Sequence, residues 1–205
     1  TQGKRVYDPA GVSCTLMSEG GGFGGRTGIP NLADVTCADA WHTGRDTDPW
    51  EWKRMLSERR DGIYTRVEGG QALFISHAWH PVFIAAYTPA LPLEERWEMG
   101  QVSQAVWEMH RLFLRQDTWA KHDLRARAPE KGFHGALERL MAEMEIVMSG
   151  ESQRLSVDLR PVGWPSIEYM RTDVYAPEAV ARAAQLDAEE ARLKIITQRG
   201  KIAAL

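Results

Sequence analysis

The chain has 205 residues, 43% of them hydrophobic and 26% charged, with a net charge of −3 and a pI near 6.1. That is enough apolar material for one sizeable core or two small lobes, and the slightly acidic balance excludes nucleic-acid recognition by gross charge alone, leaving only a local basic patch. Cys14 and Cys37 are too few for a disulfide framework or a zinc site, and no apolar run approaches membrane-helix length, so a cytoplasmic chain with reduced thiols and no membrane partner is expected.

Residues 1–40 form an arm without periodicity. Its run Gly20-Gly21-Gly22-Phe23-Gly24-Gly25 precedes Arg26-Thr27-Gly28. Glycines beside an arginine could cradle a phosphate, but no Gly-Lys-Ser/Thr follows, so the spacing is not a P-loop and a linker is the expectation. Residues 41–100 read as a first lobe. Asp48 can cap a helix, Pro49 suits its first position, and Glu51 completes a capping box, with Trp52, Met55 and Leu56 on the buried face and an end at Arg59-Arg60. Residues 63–67 and 71–75 flank Glu68-Gly69-Gly70, a hairpin signal. An apolar helix follows through Trp79, Val82, Phe83, Ala86 and Tyr87, with Pro81 in its first turn. His77 and His80 share a face three residues apart, yet no further histidine or cysteine has ligand spacing, so hydrogen-bonded core histidines are expected. Residues 91–99 form another helix, opened by Pro92 and closed by Gly100.

The most ordered pattern spans residues 101–175. Val102, Ala105, Val106, Met109, Leu112 and Phe113 recur at spacings of three and four, the signature of an amphipathic helix over 101–115. A short polar helix is expected over 117–128 and an amphipathic one over 131–144, the latter burying Phe133, Leu137, Leu140, Met141 and Met144. Ile146-Val147-Met148, a turn at residues 149–152 and the alternating segment 155–159 suggest a two-stranded ribbon. Helix, short helix, helix and ribbon is the order of a winged helix-turn-helix. Residues 167–174 alternate weakly like a strand, and residues 176–205 are expected to hold one last helix opened by Pro177 and ended by Gly200, with a stripe of Val180, Ala184, Ala188, Ala191 and Ile195. The fold class is therefore α+β: a winged helix-turn-helix core, a helix and β-hairpin lobe before it, and a C-terminal helix.

Within residues 101–150 seven basic side chains face seven acidic ones. Phosphate neutralisation supplies most non-specific DNA affinity, so a neutral module must grip through a local cluster. Lys121, Arg125, Arg127 and Lys131 gather at the second helix and the following turn; Arg139 or His134 could reach a base edge, and Arg154 and Arg160 lie along the wing. The candidate partner is double-stranded DNA, with no cofactor, no metal and no catalytic residue assigned.

Two resemblances add to this reading. Gln2-Gly3-Lys4-Arg5-Val6-Tyr7-Asp8-Pro9 and the residues to Gly28 resemble a C-terminal segment of DNA cytosine-5 methyltransferases, although that family's Pro-Cys and Glu-Asn-Val motifs are absent. From about residue 39 onward the chain resembles the AlkZ-related winged-helix proteins, relatives of helix-turn-helix glycosylases that excise alkylated or crosslinked bases. The residues carrying it are Asp48-Pro49-Trp50-Glu51-Trp52-Lys53, Phe74-Ile75 after Gly69-Gly70, Trp79-His80-Pro81 with Ala85-Ala86-Tyr87, the winged-helix unit and Tyr175-Ala176-Pro177-Glu178. This resemblance implies a role in DNA repair or modification. The glycosylases place a water with a Gln-apolar-Gln or Gln-apolar-Asp motif; Gln101-Val102-Ser103-Gln104 has one residue too many. A DNA-binding protein without its own catalytic motif is the first expectation. A diverged glycosylase, an accessory piece of a methyltransferase, and a structural or homodimerising module are the alternatives.

Overall fold

Successive side chains of a strand point to opposite faces, and in the central strand that alternation divides the protein. Ile146 packs with one hydrophobic cluster and Val147 with the other. In the neighbouring strand Tyr169 joins the first and Met170 the second. The structure, a computed structural model, describes residues 55–60, 62–67 and 71–203. Its five strands are β1 (Gly62–Val67), β2 (Gln71–Ser76), β3 (Thr118–Ala120), β4 (Ile146–Ser152) and β5 (Ser166–Arg171). They form one sheet in the order β2-β1-β4-β5-β3, antiparallel throughout.

Helices cover both faces of the sheet. On one side lie α1 (His80–Tyr87), α7 (Pro177–Ala183) and α8 (Ala188–Ala203), which share a core with Ile63, Val67 and Val147. On the other lie α2 (Leu93–Glu98), α3 (Gln104–Arg115), α4 (Lys121–Arg127) and α5 (Phe133–Ala142), packed around Met109, Phe113, Leu124 and Leu140. A short turn of helix, α6 (Thr172–Tyr175), joins β5 to α7. Each fully buried side chain such as Phe113 or Leu140 contributes on the order of 2 kcal/mol of apolar burial. No helix among the described residues is long and apolar enough to cross a membrane. The whole is a mixed α+β fold of winged-helix type.

Two polar side chains anchor the first core. His80 is 1% exposed, and its Nε2 lies 2.7 Å from the carbonyl of Ile75 and 3.0 Å from the amide of Ile63, the residues paired across β1 and β2. Burial pulls its pKa down to about 4, against the smaller upward effect of the Ile75 carbonyl, so the ring is held neutral. Either neutral tautomer satisfies one of the two backbone groups. The hydroxyl of Tyr175 lies 2.9 Å from the carbonyls of both Ser57 and Gly62, within reach to donate to either. Arg60 stands over the same ring at 5.4 Å, a cation–π contact that ties the start of the described chain to its C-terminal third.

Most expected elements are present, with four differences. The segment expected to be helical over 117–128 begins instead as β3, which pairs with β5 through Trp119 and Tyr169; the helix proper starts at Lys121. The expected turn at 149–152 is part of β4, which runs straight through with a bulge between Met148 and Gly150. The return strand of the ribbon is β5, not residues 155–159. The single C-terminal helix is two, because Asp187 accepts from the amide of Glu190 and caps α8 anew; α8 then passes through Gly200 to Ala203. Before the break, Ala179 and Ala183 are buried while Ala184, expected on the buried stripe, is exposed. The expected start of the first lobe at residue 41, its helix cap at Asp48 and the arm before them lie outside the described residues.

Candidate nucleic-acid interface

The order α3, β3, α4, α5, β4, wing, β5 follows from local chemistry. Ser103 caps α3 by accepting from the amide of Val106, and Val106, Met109 and Phe113 then face inward at helical spacing. Gly132 makes the turn into α5 with φ +87°; a Cβ there would come within 3.1 Å of the Ala105 Cβ, so the close approach of α5 to α3 requires glycine. From that turn α5 buries Phe133, Ala136, Leu137, Leu140 and Met141, which leaves His134, Gly135 and Glu138 outward.

The outward face of α5 is already tied down. Glu138 pairs with Arg66 of β1 at 3.6 Å. Arg139 is half-buried; its Nε donates to Glu143 at 2.8 Å and its guanidinium donates to the Gln101 carbonyl at 3.2 Å. Glu143 also accepts from Arg96 at 2.9 Å. The Arg96 guanidinium is itself 6% exposed and lies 3.5 Å from Glu145, an ion pair without hydrogen-bond geometry. Burial raises the Glu145 carboxyl pKa, with His110 and Arg96 opposing. Arg139 is therefore a bracket between α5 and the start of α3, and His134 is the only expected base reader left free on the helix, its ring meeting Phe133 edge-on at 5.4 Å.

The second helix and the wing are arranged differently. Lys121 and Arg125 are four apart on α4, Lys121 half-buried beside Leu124 and Arg125 exposed. Arg125 and Lys131 are exposed, and with Lys121 they make no ion pair with another described residue. Arg127 is exposed but engaged: it stands 5.2 Å from the Trp119 ring and donates to the Asp123 carbonyl at 3.3 Å. The amide of His122 donates to Ser166 Oγ at 3.3 Å, and Ser166 pairs with Ser152. These bonds join the start of α4 to the base of the wing, with exposed Arg154 two residues beyond Ser152. Six of the eight expected contact residues thus remain available: Lys121, Arg125, Lys131, His134, Arg154 and Arg160.

Residues 153–165, between β4 and β5, were not legible as one projecting wing. Val157 and Leu159 at their tip, and Trp164 near their base, lie largely in solvent. The signal lay in Pro161, Gly163 and Pro165, which interrupt any strand there.

Gln101 and Gln104 flank the Ser103 cap of α3 and are exposed; the Gln104 side chain donates to Glu108 at 2.7 Å. No group of three or more metal-ligating side chains occurs among the described residues. A shallow groove beside α1 and α8, lined by Val82, Leu186, Asp187 and Lys194, encloses only about 10 Å³, room for roughly one water.

The comparisons with known proteins agree with this architecture. No curated protein and no solved structure matches the chain. A family model described as AlkZ related matches residues 22–204, and over that span, nearly its whole length, the chain belongs to the AlkZ-related family.

Proposed function

We propose that this chain is a winged-helix protein that binds double-stranded DNA, acting in DNA repair or modification without a catalytic motif of its own. The observation that supports it most is the unpaired cationic edge of Lys121, Arg125 and Lys131, joined through the His122–Ser166 bond to the base of the wing. In this reading those side chains, with Arg154, contact phosphates, and His134 is the base-edge candidate on α5. Arg127 and Arg139 hold the module together. The likeness of residues 2–28 to a methyltransferase segment finds no support in the comparisons, and the reading does not draw on it.

The test is binding of the full chain to duplex DNA across a salt series. Each cation on a phosphate contributes about 0.9 to the slope of log affinity against log salt. Replacing Lys121, Arg125 and Lys131 with alanine is expected to lower the slope by roughly 2–3 and the affinity about 100-fold at moderate salt. Binding that is absent, or indifferent to these changes, would sink the proposal. Incubation with alkylated DNA is expected to release no base; release would favour a diverged glycosylase.

A second reading has its own support. Leu193 and Ile196 are exposed three apart on α8, neighbours on one helix face of the kind that pairs with a partner helix. Light scattering that finds a dimer, broken by Leu193→Glu, would favour a homodimerising module.

A further inference from the structure

The wing is a built hairpin whose tip does nothing for the fold. Above the β4–β5 pair, Leu155 bridges Pro161, the Val162 amide donates to the Arg154 carbonyl at 2.8 Å, and the Ser156 amide donates to the Arg160 carbonyl at 2.8 Å. The side-chain amide of Gln153 crosses to the carbonyls of Val162 and Gly163 at 3.2 and 3.3 Å. The two limbs are thus stitched together, and the three-residue tip Val157-Asp158-Leu159 is presented at a fixed place.

That tip is unusual in two independent ways. Val157 is 101% exposed and Leu159 76%, so apolar groups project into solvent at the point of a narrow ribbon. Leu159 also has φ +59°. Three-residue hairpin connections close with a residue in this left-handed region, and glycine is the residue that suits it. A leucine there is strained by its own Cβ and gains no packing in return. Neither folding nor solubility explains the choice, whereas contact with something outside the chain does.

The surroundings say what. Arg154 and Arg160 are exposed on the two limbs and make no ion pair with another described residue; Asp158 is the one acid among residues 153–165. Apolar side chains at the point of a ribbon, flanked by arginines, complement a nucleic-acid groove, where phosphates line the rim and stacked bases form the floor. Wedges of this composition insert between base steps, unstack them and kink the duplex. A face for a second copy would be broader and flatter, and one for a membrane would hold more cations than two.

Resting on the DNA-binding reading above, we propose that the wing tip is an apolar wedge: Val157 and Leu159 enter the minor groove and part a base step, while Arg154 and Arg160 hold the flanking phosphates. The wing, not α5, then does the deformation, and the DNA favoured is duplex that opens easily, at a flexible, mismatched or damaged step.

The test uses the full chain and a set of duplexes carrying 2-aminopurine at successive positions, with end labels to report bending by energy transfer. Wild type is expected to raise the 2-aminopurine emission and shorten the end-to-end distance, and to bind a mismatched duplex about tenfold more tightly than a matched one. Val157→Ser with Leu159→Gly is expected to abolish the emission change, the bend and the mismatch preference, while keeping the salt slope set by the α4 cations. Because glycine suits the Leu159 backbone, that variant is expected to melt no lower than wild type. Wild-type binding without unstacking or bending, or a variant that still produces both, overturns the wedge and leaves the DNA reading standing. Absence of wild-type binding overturns both. Self-association or binding to anionic vesicles that the double variant alone removes, with DNA deformation unchanged, assigns the tip to those partners and overturns the wedge.

Discussion

Charge in this protein is used in two ways, in two regions that sit side by side. Around the end of α5, Arg96, Arg139, Glu143 and Glu145 are half or fully buried and bonded to one another or to backbone. Along α4, the turn after it and the wing, Lys121, Arg125, Lys131, Arg154 and Arg160 lie at the surface without partners among the described residues. A sum over the sequence gives neutrality for the module. The structure shows what that sum mixes: acids pair with the cations that brace helices, while Lys121, Arg125 and Lys131, like Arg111 and Arg115 on α3, are left without partners among the described residues. The difference separates residues whose loss should cost stability from residues whose loss should cost binding.

The sharpest break in that comparison is Arg96→Met. Methionine keeps the aliphatic packing but leaves Glu145, already destabilised by burial, without its cation. Removing one partner of a buried pair costs about 3–5 kcal/mol; three partly exposed contacts place Arg96 near the lower end. Denaturant unfolding should show the loss, and adding Glu145→Gln should recover part of it. DNA affinity, measured where the variant is still folded, should stay within about twofold because no unpaired cation has been touched. A variant of unchanged stability would mean the cluster braces nothing.

His80 gives the next effect, through pH. Its folded pKa is about 4, below the ordinary 6.5, so the unfolded chain takes up the proton first as pH falls. The stability it contributes is complete above the unfolded value and is lost progressively down to the folded one. The difference corresponds to about 3 kcal/mol, of which about 2 kcal/mol should disappear between pH 7 and pH 5. Glu94, whose carboxyl is held low first by a backbone hydrogen bond, adds its own loss only further down. Unfolding curves at pH 7 and pH 5 for wild type and His80→Gln separate the two: the variant is weaker throughout but should lack most of this slope. Equal slopes would remove His80 as the cause.

The helices on the winged-helix side were legible because their information is local. Val106, Met109 and Phe113 announce a face by spacing alone, and α5 does the same. The AlkZ-related resemblance was legible for a different reason. Its residues include His80 and Tyr175, whose polar atoms satisfy backbone groups of distant chain segments and so tolerate few replacements. β3 was missed because three residues that read as helix are recruited by pairing with β5, a contact about fifty positions away. The second C-terminal helix was readable in Asp187 and Glu190, a capping pair three apart. The wing tip was not: alternation at residues 155–159 looks the same whether its apolar side chains are covered or bare.

Arg139 is where the two regions meet and where the smallest effect is expected. By position on α5 it is the natural base reader, and arginine is the side chain most used for guanine. Its donors are instead committed to Glu143 and the Gln101 carbonyl, so entering a groove would break bonds that join α5 to the start of α3. Arg139→Ala should therefore cost about 1 kcal/mol of stability, the size of a part-exposed charged hydrogen bond. It should change duplex affinity less than about threefold and leave any sequence preference intact, whereas loss of a bidentate base contact would cost about 1–3 kcal/mol at one position. A selection of bound sequences from a random pool, repeated with the variant, decides it. Relaxation at a single base position would move Arg139 from the bracing set to the reading set, and α5 would regain the groove now given to the wing.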